Sequence, residues 1–120
     1  MQTYEIIFRT IPIGIAFVRA DLSIVRVNQF LIDLLGYTSS DELIAGGLQQ
    51  SIHPWDLSKF QALTAASERP KRSARLRIFA RDKQLVWVEM TAVWSEEKAH
   101  ANSFVLMVQD IDERVPVSYQ

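Results

Sequence analysis

The ten residues 85–94 read LVWVEMTAVW, and they decide the fold class of this chain. One set of alternate positions is wholly apolar: Val86, Val88, Met90, Ala92 and Trp94. Strict period two over ten residues predicts a β-strand, because successive side chains of a strand point to opposite faces of a sheet. The other set includes Trp87 and Val93. Both faces of this strand are therefore expected to need some cover from water.

A second strand precedes this one and is predicted to pair with it. Residues 75–81 alternate between apolar and mainly basic side chains, and residues 82–83 stand between the two runs as a short turn. This arrangement predicts an antiparallel hairpin. Arg77 is expected to lie near Glu89 across it, where opposite charges attract. Residues 68–72 are predicted to be a polar loop ahead of the hairpin.

Three further strands complete the set. Residues 14–19 and 24–27 are short apolar runs joined by a polar turn at Asp21, so they predict a hairpin. Residues 104–108 predict a fifth strand, reached through a polar connection over residues 96–102. Two strands at the start and three at the end predict a single antiparallel sheet.

The middle of the chain has helical periodicity. Asn28 is placed to cap a helix that Gly36 ends. The apolar residues of this helix are Phe30, Leu31, Leu34 and Leu35. Ser39 begins a capping-box pattern at the start of a second helix, and His53 with Pro54 opens a third. The apolar face of the third helix is Leu57, Phe60, Leu63 and Thr64.

The order of elements predicts the fold class. A short helix is predicted over residues 4–9, with Ile6 and Ile7 on its docking face, and Pro12 ends it. The helices between the second and third strands would cover one face of the sheet. The prediction is therefore α+β, a five-stranded antiparallel sheet with helices packed on one face. The opposite face is then covered by the N-terminal helix or by a second chain.

Composition limits the classes of function. The chain has 120 residues, 48% of them apolar, which suits one domain with one core. Its net charge of −1 favours neither nucleic acid nor an anionic membrane, and we predict no contact with either. It has no cysteine, so disulfides and thiol catalysis are excluded. No signal peptide is recognised and no apolar run approaches the ~20 residues that span a bilayer, so a cytoplasmic location is expected.

No pattern for catalysis or metal binding is present. His53 precedes a proline and is interpreted as closing a turn, whereas His100 lies in a polar loop. We therefore predict no catalytic residue and no metal site. Basic residues cluster within residues 69–83. We interpret them as a solvated face, with a nucleic-acid surface as the alternative.

Several motifs follow one another in an order typical of one family. They are Asn28, Gly36-Tyr37, Ser39 to Leu43, Gly46, HPWD at 53–56, Trp87-Val88-Glu89 and VQDIDER at 108–114. Together they resemble the PAS domain family over residues 4–114. Residues 82–83 stand where that family usually has Asp-Gly, so a slightly different turn is expected, and Asp112 stands where threonine is common. The domain is taken as residues 1–114, with a lead-in helix at 1–12 and a linker at 115–120.

The resemblance implies a sensory or protein-interaction module of a larger regulatory protein, with a small cavity between sheet and helices. Candidate cavity residues are Asn28, Phe30, Leu34, Phe60, Leu76, Ile78, Val88, Met90 and Leu106. A small organic ligand is left open beside a filled core. Haem and flavin are disfavoured, because residues 54–67 lack histidine and the chain lacks cysteine. No cofactor is predicted.

A homodimer is also expected, together with a downstream effector domain in the same chain. Outputs common in the family are histidine kinases, cyclic-dinucleotide enzymes and transcription regulators. The interface candidates are Tyr4, Ile7, Trp87 and Val93. Asp110 and Arg114 are the signal-coupling candidates, as a charge-assisted pair that fixes the exit direction of the chain.

Two alternatives stay open. One is a purely structural dimerisation module with a filled core. The other is a small α+β enzyme of the cone-shaped isomerase type, which would need a carboxylate such as Asp33 or Glu89 in an apolar pocket with a raised pKa.

Overall fold

The computed structural model describes residues 2–65, 71–80, 83–94 and 103–111, with side chains from residue 5 onward. The helices are α1 (Gln2–Thr10), α2 (Gln29–Leu35), α3 (Ser40–Gly46) and α4 (Leu57–Thr64). Single 3₁₀ turns lie at Gln49–Ser51 and Pro54–Asp56. The strands are β1 (Gly14–Arg19), β2 (Ile24–Val27), β3 (Lys71–Phe79), β4 (Leu85–Trp94) and β5 (Ser103–Asp110).

The five strands form one antiparallel sheet in the order β2-β1-β5-β4-β3. Its inner face packs against α2, α3 and α4 in one continuous core. The largest fully buried apolar side chains are Phe60, Leu31, Leu43, Leu76, Ile78, Met90, Leu106, Val18, Val88 and Val108. The predicted fold class is confirmed.

The β3–β4 hairpin differs from the prediction in register and length. Arg75 lies opposite Glu89, and Arg77 lies opposite Trp87. The expected Arg77–Glu89 pairing is wrong, because Arg77 turns to a carboxylate on another segment. Strand β3 also begins at Lys71, inside the predicted loop, because polar side chains on an edge strand can face water.

Helix α1 docks through a different residue from those expected. Phe8 is buried, while Ile6 and Ile7 are exposed, so the predicted docking face is wrong. The Phe8 ring stacks on Phe17, with 5.5 Å between ring centroids, and the Arg26 guanidinium lies 4.1 Å from the Phe8 ring centroid. Phe17 points away from the core, so α1 covers one corner of the outer face of the sheet.

The predicted helix caps are confirmed. Asn28 accepts the N–H of Leu31, and Gly36 takes the left-handed conformation with φ 81°. The Ser39 hydroxyl accepts the N–H of Glu42. The Glu42 carboxylate in turn accepts the N–H of Thr38, one residue before the cap. Local sequence is therefore sufficient to set where α2 and α3 begin.

Lys83, in the β3–β4 turn, has φ 58°, in the region that glycine favours. We expect Lys83→Gly to raise the free energy of unfolding by about 0.5–1 kcal/mol, because a non-glycine residue is strained there. Denaturant unfolding measures this difference. Lys83→Ala removes the same side chain but keeps the strain, so it should leave stability unchanged. A gain with alanine equal to that with glycine would contradict the prediction.

Candidate functional site

The interior between sheet and helices is almost filled. Between the described residues of the sheet and helices lies a void of about 10 Å³. It is lined by Leu31, Leu35, Leu48, Ser51, Ile52, Ile78, Met90 and Val108. A single water needs ~10–15 Å³ by this measure, so this void, lined by described residues, is no larger than one water.

The predicted cavity residues fall into three groups. Phe60, Leu76, Ile78, Val88, Met90 and Leu106 come together in the core. Phe30 and Leu34 are half-buried and line an open groove with Val86 and Asp110, and Leu34 also packs against the edge of the core. The inward residues of α2 include Leu31 and Leu35. Both pairs share helical spacing, so periodicity alone did not identify which of them faces the sheet.

Asn28, the third group, is a buried connector between three elements. Its Nδ2 donates to the carbonyl oxygens of Phe8 and Ile13, at 3.0 and 2.9 Å. Its Oδ1 accepts the N–H groups of Ile15 and Leu31, at 2.9 and 3.1 Å. Two donors and two acceptors are thereby satisfied, and one side chain ties the end of α1 to β1 and to the start of α2.

Asp56, in the HPWD turn, is a buried carboxylate with 2% of its surface exposed. It accepts the backbone N–H and Nε of Arg77, both at 2.8 Å, and Nη2 at 2.9 Å. Lys59 Nζ lies 3.9 Å from Oδ1 of the Asp56 carboxylate. The hydrogen bond from Arg77 outweighs the opposing effect of burial and lowers the pKa of Asp56 from 3.8 to about 2. Asp56 is therefore held ionised.

The same turn covers part of the β3 edge. The backbone N–H of His53 donates to the carbonyl of Arg77 at 3.0 Å, and Ile52 forms a bridge with Ile78. His53 Nδ1 accepts the N–H of Trp55, so its predicted turn-closing role is confirmed. The Asp56–Arg77 pair then fixes an arginine on the outer face of the sheet.

Large apolar side chains remain exposed on that outer face. Trp87 is 38% exposed and Ile7 50%, while Val93 is half-buried. The Arg77 guanidinium lies 5.1 Å from the Trp87 ring centroid and 5.5 Å from that of Trp55. Three of the four interface candidates thus lie at least partly on the surface. Tyr4 falls within α1, but its side chain lies outside the described part of the structure.

Sequence comparison now places the chain in a family. The profile of the PAS domain family matches residues 12–113. This chain belongs to the PAS domain family. PAS domains are generally sensory modules rather than enzymes. No curated protein matches the chain in sequence.

Solved structures share the fold at low sequence identity. The PAS domain of an HTR-like protein from Haloarcula marismortui is 22% identical, with a TM-score of 0.76, and the match covers 92% of this chain and 90% of that one. A PAS domain from Colwellia psychrerythraea is 18% identical, with a TM-score of 0.81 and coverages of 94% and 98%. A domain of a sensory box sensor histidine kinase/response regulator from Geobacter sulfurreducens is 17% identical, with a TM-score of 0.70 and coverages of 91% and 92%.

The end of β5 in this PAS domain lies beside the open groove that Phe30, Leu34 and Val86 line. Asp110 ends β5, and the buried Ile111 follows it, donating its backbone N–H to the carbonyl of Trp87 at 3.1 Å. Arg114 lies outside the described residues, so its pairing with Asp110 stays a prediction. The backbone contact nevertheless joins the exit of the chain to strand β4.

The PAS domain offers little to the enzyme alternative in the part of the chain that the structure describes. Asp33 is exposed and Glu89 half-buried, so neither is a carboxylate in an apolar pocket. The described residues contain no group of three or more His, Cys, Asp or Glu side chains placed to hold a metal. They also contain no helix of sufficient length and apolar character to cross a bilayer.

Proposed function

We propose that this PAS domain transmits a signal as a homodimer, formed through the outer face of the sheet and the exposed side of α1. The observation that carries the proposal is the row of large apolar side chains exposed there: Ile6, Ile7, Phe17, Phe79, Leu85 and Trp87. Soluble single-chain domains seldom expose extended apolar patches unless a partner covers them. Tryptophan and arginine also contribute strongly at protein interfaces.

The register of the strands adds an apolar strip at the α1 end of the outer face. Phe17 on β1 lies opposite Val105 on β5, which lies opposite Val93 on β4. The next row joins Ile15 to Met107 in the same way. Side chains directly opposite on one face touch one another, so an apolar strip crosses three strands and offers a flat surface to a second copy.

A filled interior favours dimerisation over ligand sensing. Ligand pockets commonly enclose ~300–1,000 Å³, against about 10 Å³ here. We therefore propose that this domain works without a cofactor and without nucleic acid, and that its input changes the arrangement of the dimer. The proposed output is an effector in the same chain, such as a histidine kinase, and the structural similarity to a sensor histidine kinase domain supports this choice. We place the protein in the cytoplasm, with which its lack of cysteine is compatible.

Trp87→Glu is expected to weaken the dimer by about tenfold or more, because a charge replaces a central aromatic contact. Sedimentation equilibrium of the purified domain measures the dissociation constant. Ile44→Glu is the matched control, because Ile44 is similarly exposed but lies on α3, on the helical side. A wild-type domain that stays monomeric at high concentration, or equal weakening by both variants, would contradict the proposal.

A further inference from the structure

Strand β3 is an edge strand that is covered along only part of its length. In an antiparallel ladder, alternate residues direct their N–H and C=O groups away from the partner strand. Arg77 is such a residue, since its N–H and C=O bond to Asp56 and His53. The register is continuous back to Lys71, so the backbone N–H and C=O groups of Ser73 and Arg75 also point away from β4. The Arg75 carbonyl accepts Lys59 Nζ at 3.4 Å, but no described residue accepts the outward N–H of Ser73 or Arg75.

A basic groove runs beside this open edge, between α4 and β3. Its volume is about 480 Å³. Its lining residues are Lys59, Ala62, Leu63, Lys71, Arg72, Ser73 and Ala74. Three of these lining residues carry a positive charge, and no lining residue carries a carboxylate. The Arg72 guanidinium donates to the carbonyls of Ala62, at 2.6 Å, and Ala65, at the end of α4. At least one positive charge is therefore fixed in place.

The covered part of β3 shows how an acidic segment fits this edge. At Arg77, one carboxylate accepts both the outward N–H and the guanidinium of the same residue. The incoming backbone supplies an N–H to the Arg77 carbonyl. Arg75, two residues earlier, presents the same combination of outward N–H and guanidinium. The edge therefore repeats a binding arrangement that the chain itself already uses.

We propose that the edge of β3 at residues 71–75, with its adjoining groove, binds an extended acidic segment of another protein or domain. The segment pairs with the outward N–H groups as a sixth strand, and its carboxylates meet Arg75 and Lys59. A second copy does not fit, because edge-to-edge pairing would place Lys71 and Arg75 against like charges. The same cations that prevent self-pairing select an acidic strand. The groove and the open backbone edge lie beside the proposed dimer face, although the Lys71 and Arg75 side chains share the outer face of β3, and the peptide test does not require a dimer.

The probe is a blocked hexapeptide of alternating glutamate and valine, added to the ¹⁵N-labelled domain. Binding is expected to shift the backbone amide signals of Ser73 and Arg75, to slow their exchange with water and to weaken as salt is added. Ser73→Pro removes one outward N–H and leaves the ladder to β4 intact, so it should weaken binding about tenfold. Arg75→Glu should do the same through charge, whereas Arg19→Glu, at the exposed end of β1, should have no effect.

Four results would overturn the proposal. One is equal binding by a lysine–valine hexapeptide, which would show that charge plays no part. Another is a set of shifts that maps to Trp87 and Val105 on the outer face. A third is unchanged affinity in Arg75→Glu, a variant that does not depend on proline being tolerated. The last is no response of the folded domain to millimolar glutamate–valine peptide.

Discussion

Asp56→Ala is expected to lower the free energy of unfolding by about 3 kcal/mol, as removal of one member of a buried ion pair usually does. The carboxylate is 2% exposed and accepts three hydrogen bonds from Arg77. Its removal leaves the backbone N–H of Arg77 unpaired beside the HPWD turn. The partly exposed guanidinium can still reach water, which keeps the expected loss at the lower end of the usual range.

A double-mutant cycle measures the interaction energy between Asp56 and Arg77 apart from their other contacts. Arg77→Met keeps most of the packing against Trp55 and Trp87 but removes the charge. Denaturant unfolding of Asp56→Ala, Arg77→Met and the double variant should give effects that do not add, since the second change removes a partner already lost. Asp21→Ala is the control: it removes two exposed hydrogen bonds from Ser23 and should cost much less stability. If the losses in free energy of unfolding from Asp56→Ala and Arg77→Met simply added, the assignment of Asp56 and Arg77 as a stabilising pair would be contradicted.

The pair also sets a dependence on pH. The pKa of Asp56 falls from 3.8 to about 2 in the folded domain, so folding favours the ionised form. Its contribution is complete above about pH 4 and is lost as the pH falls towards 2. Over that window the wild type should lose about 2 kcal/mol more than Asp56→Asn, which has no charge to titrate. Parallel stability curves for the two proteins would show that Asp56 is not held by Arg77.

The features that sequence predicted well are governed by neighbouring residues. Residues 85–94 predict a strand because every second residue is apolar, and β4 spans the whole of this run. Asn28, Gly36 and Ser39 cap helices through bonds to residues three or four positions away. Turn chemistry and periodicity act over such distances, and the prediction of five strands in one antiparallel sheet followed from them.

The features that sequence did not predict depend on distant residues. Arg77 binds Asp56, which is 21 residues away in the chain, whereas Glu89 offered an equally plausible charge across the hairpin. In α2, Phe30 competes with Leu31 for the inward position, and only the direction in which the helix meets the sheet decides between them. The burial of Phe8 in place of Ile7 has the same origin, because it requires Phe17 on another element.

Asn28→Ala is expected to lower the free energy of unfolding by about 3 kcal/mol or more, since it strands several buried polar groups at once. The groups concerned are the carbonyls of Phe8 and Ile13 and the N–H groups of Ile15 and Leu31. Asn28 itself is 1% exposed, so water has little access to replace these bonds. Chemical denaturation measures the loss. Ser39→Ala, at the cap of α3, is the control and should cost about 1 kcal/mol.

Asn28→Asp divides the four bonds into two pairs. A carboxylate keeps the shape of the side chain and still accepts the N–H groups of Ile15 and Leu31. It has no donor for the carbonyls of Phe8 and Ile13, so the attachment of α1 is lost while the cap of α2 remains. Hydrogen exchange should therefore quicken in α1 and stay unchanged in α2. Equal acceleration in both helices would show that Asn28 does not act separately on them.

The consequence for signalling follows from where α1 lies. Ile7 belongs to the proposed dimer surface, and Asn28 is the buried link from α1 to the core. If the dimer uses α1, Asn28→Asp should weaken association even though residue 28 is itself buried. Ile7→Glu combined with Asn28→Asp should then give little further loss, because both act on the same contact. A dimer of unchanged strength in Asn28→Asp would restrict the interface to the sheet and leave α1 outside it.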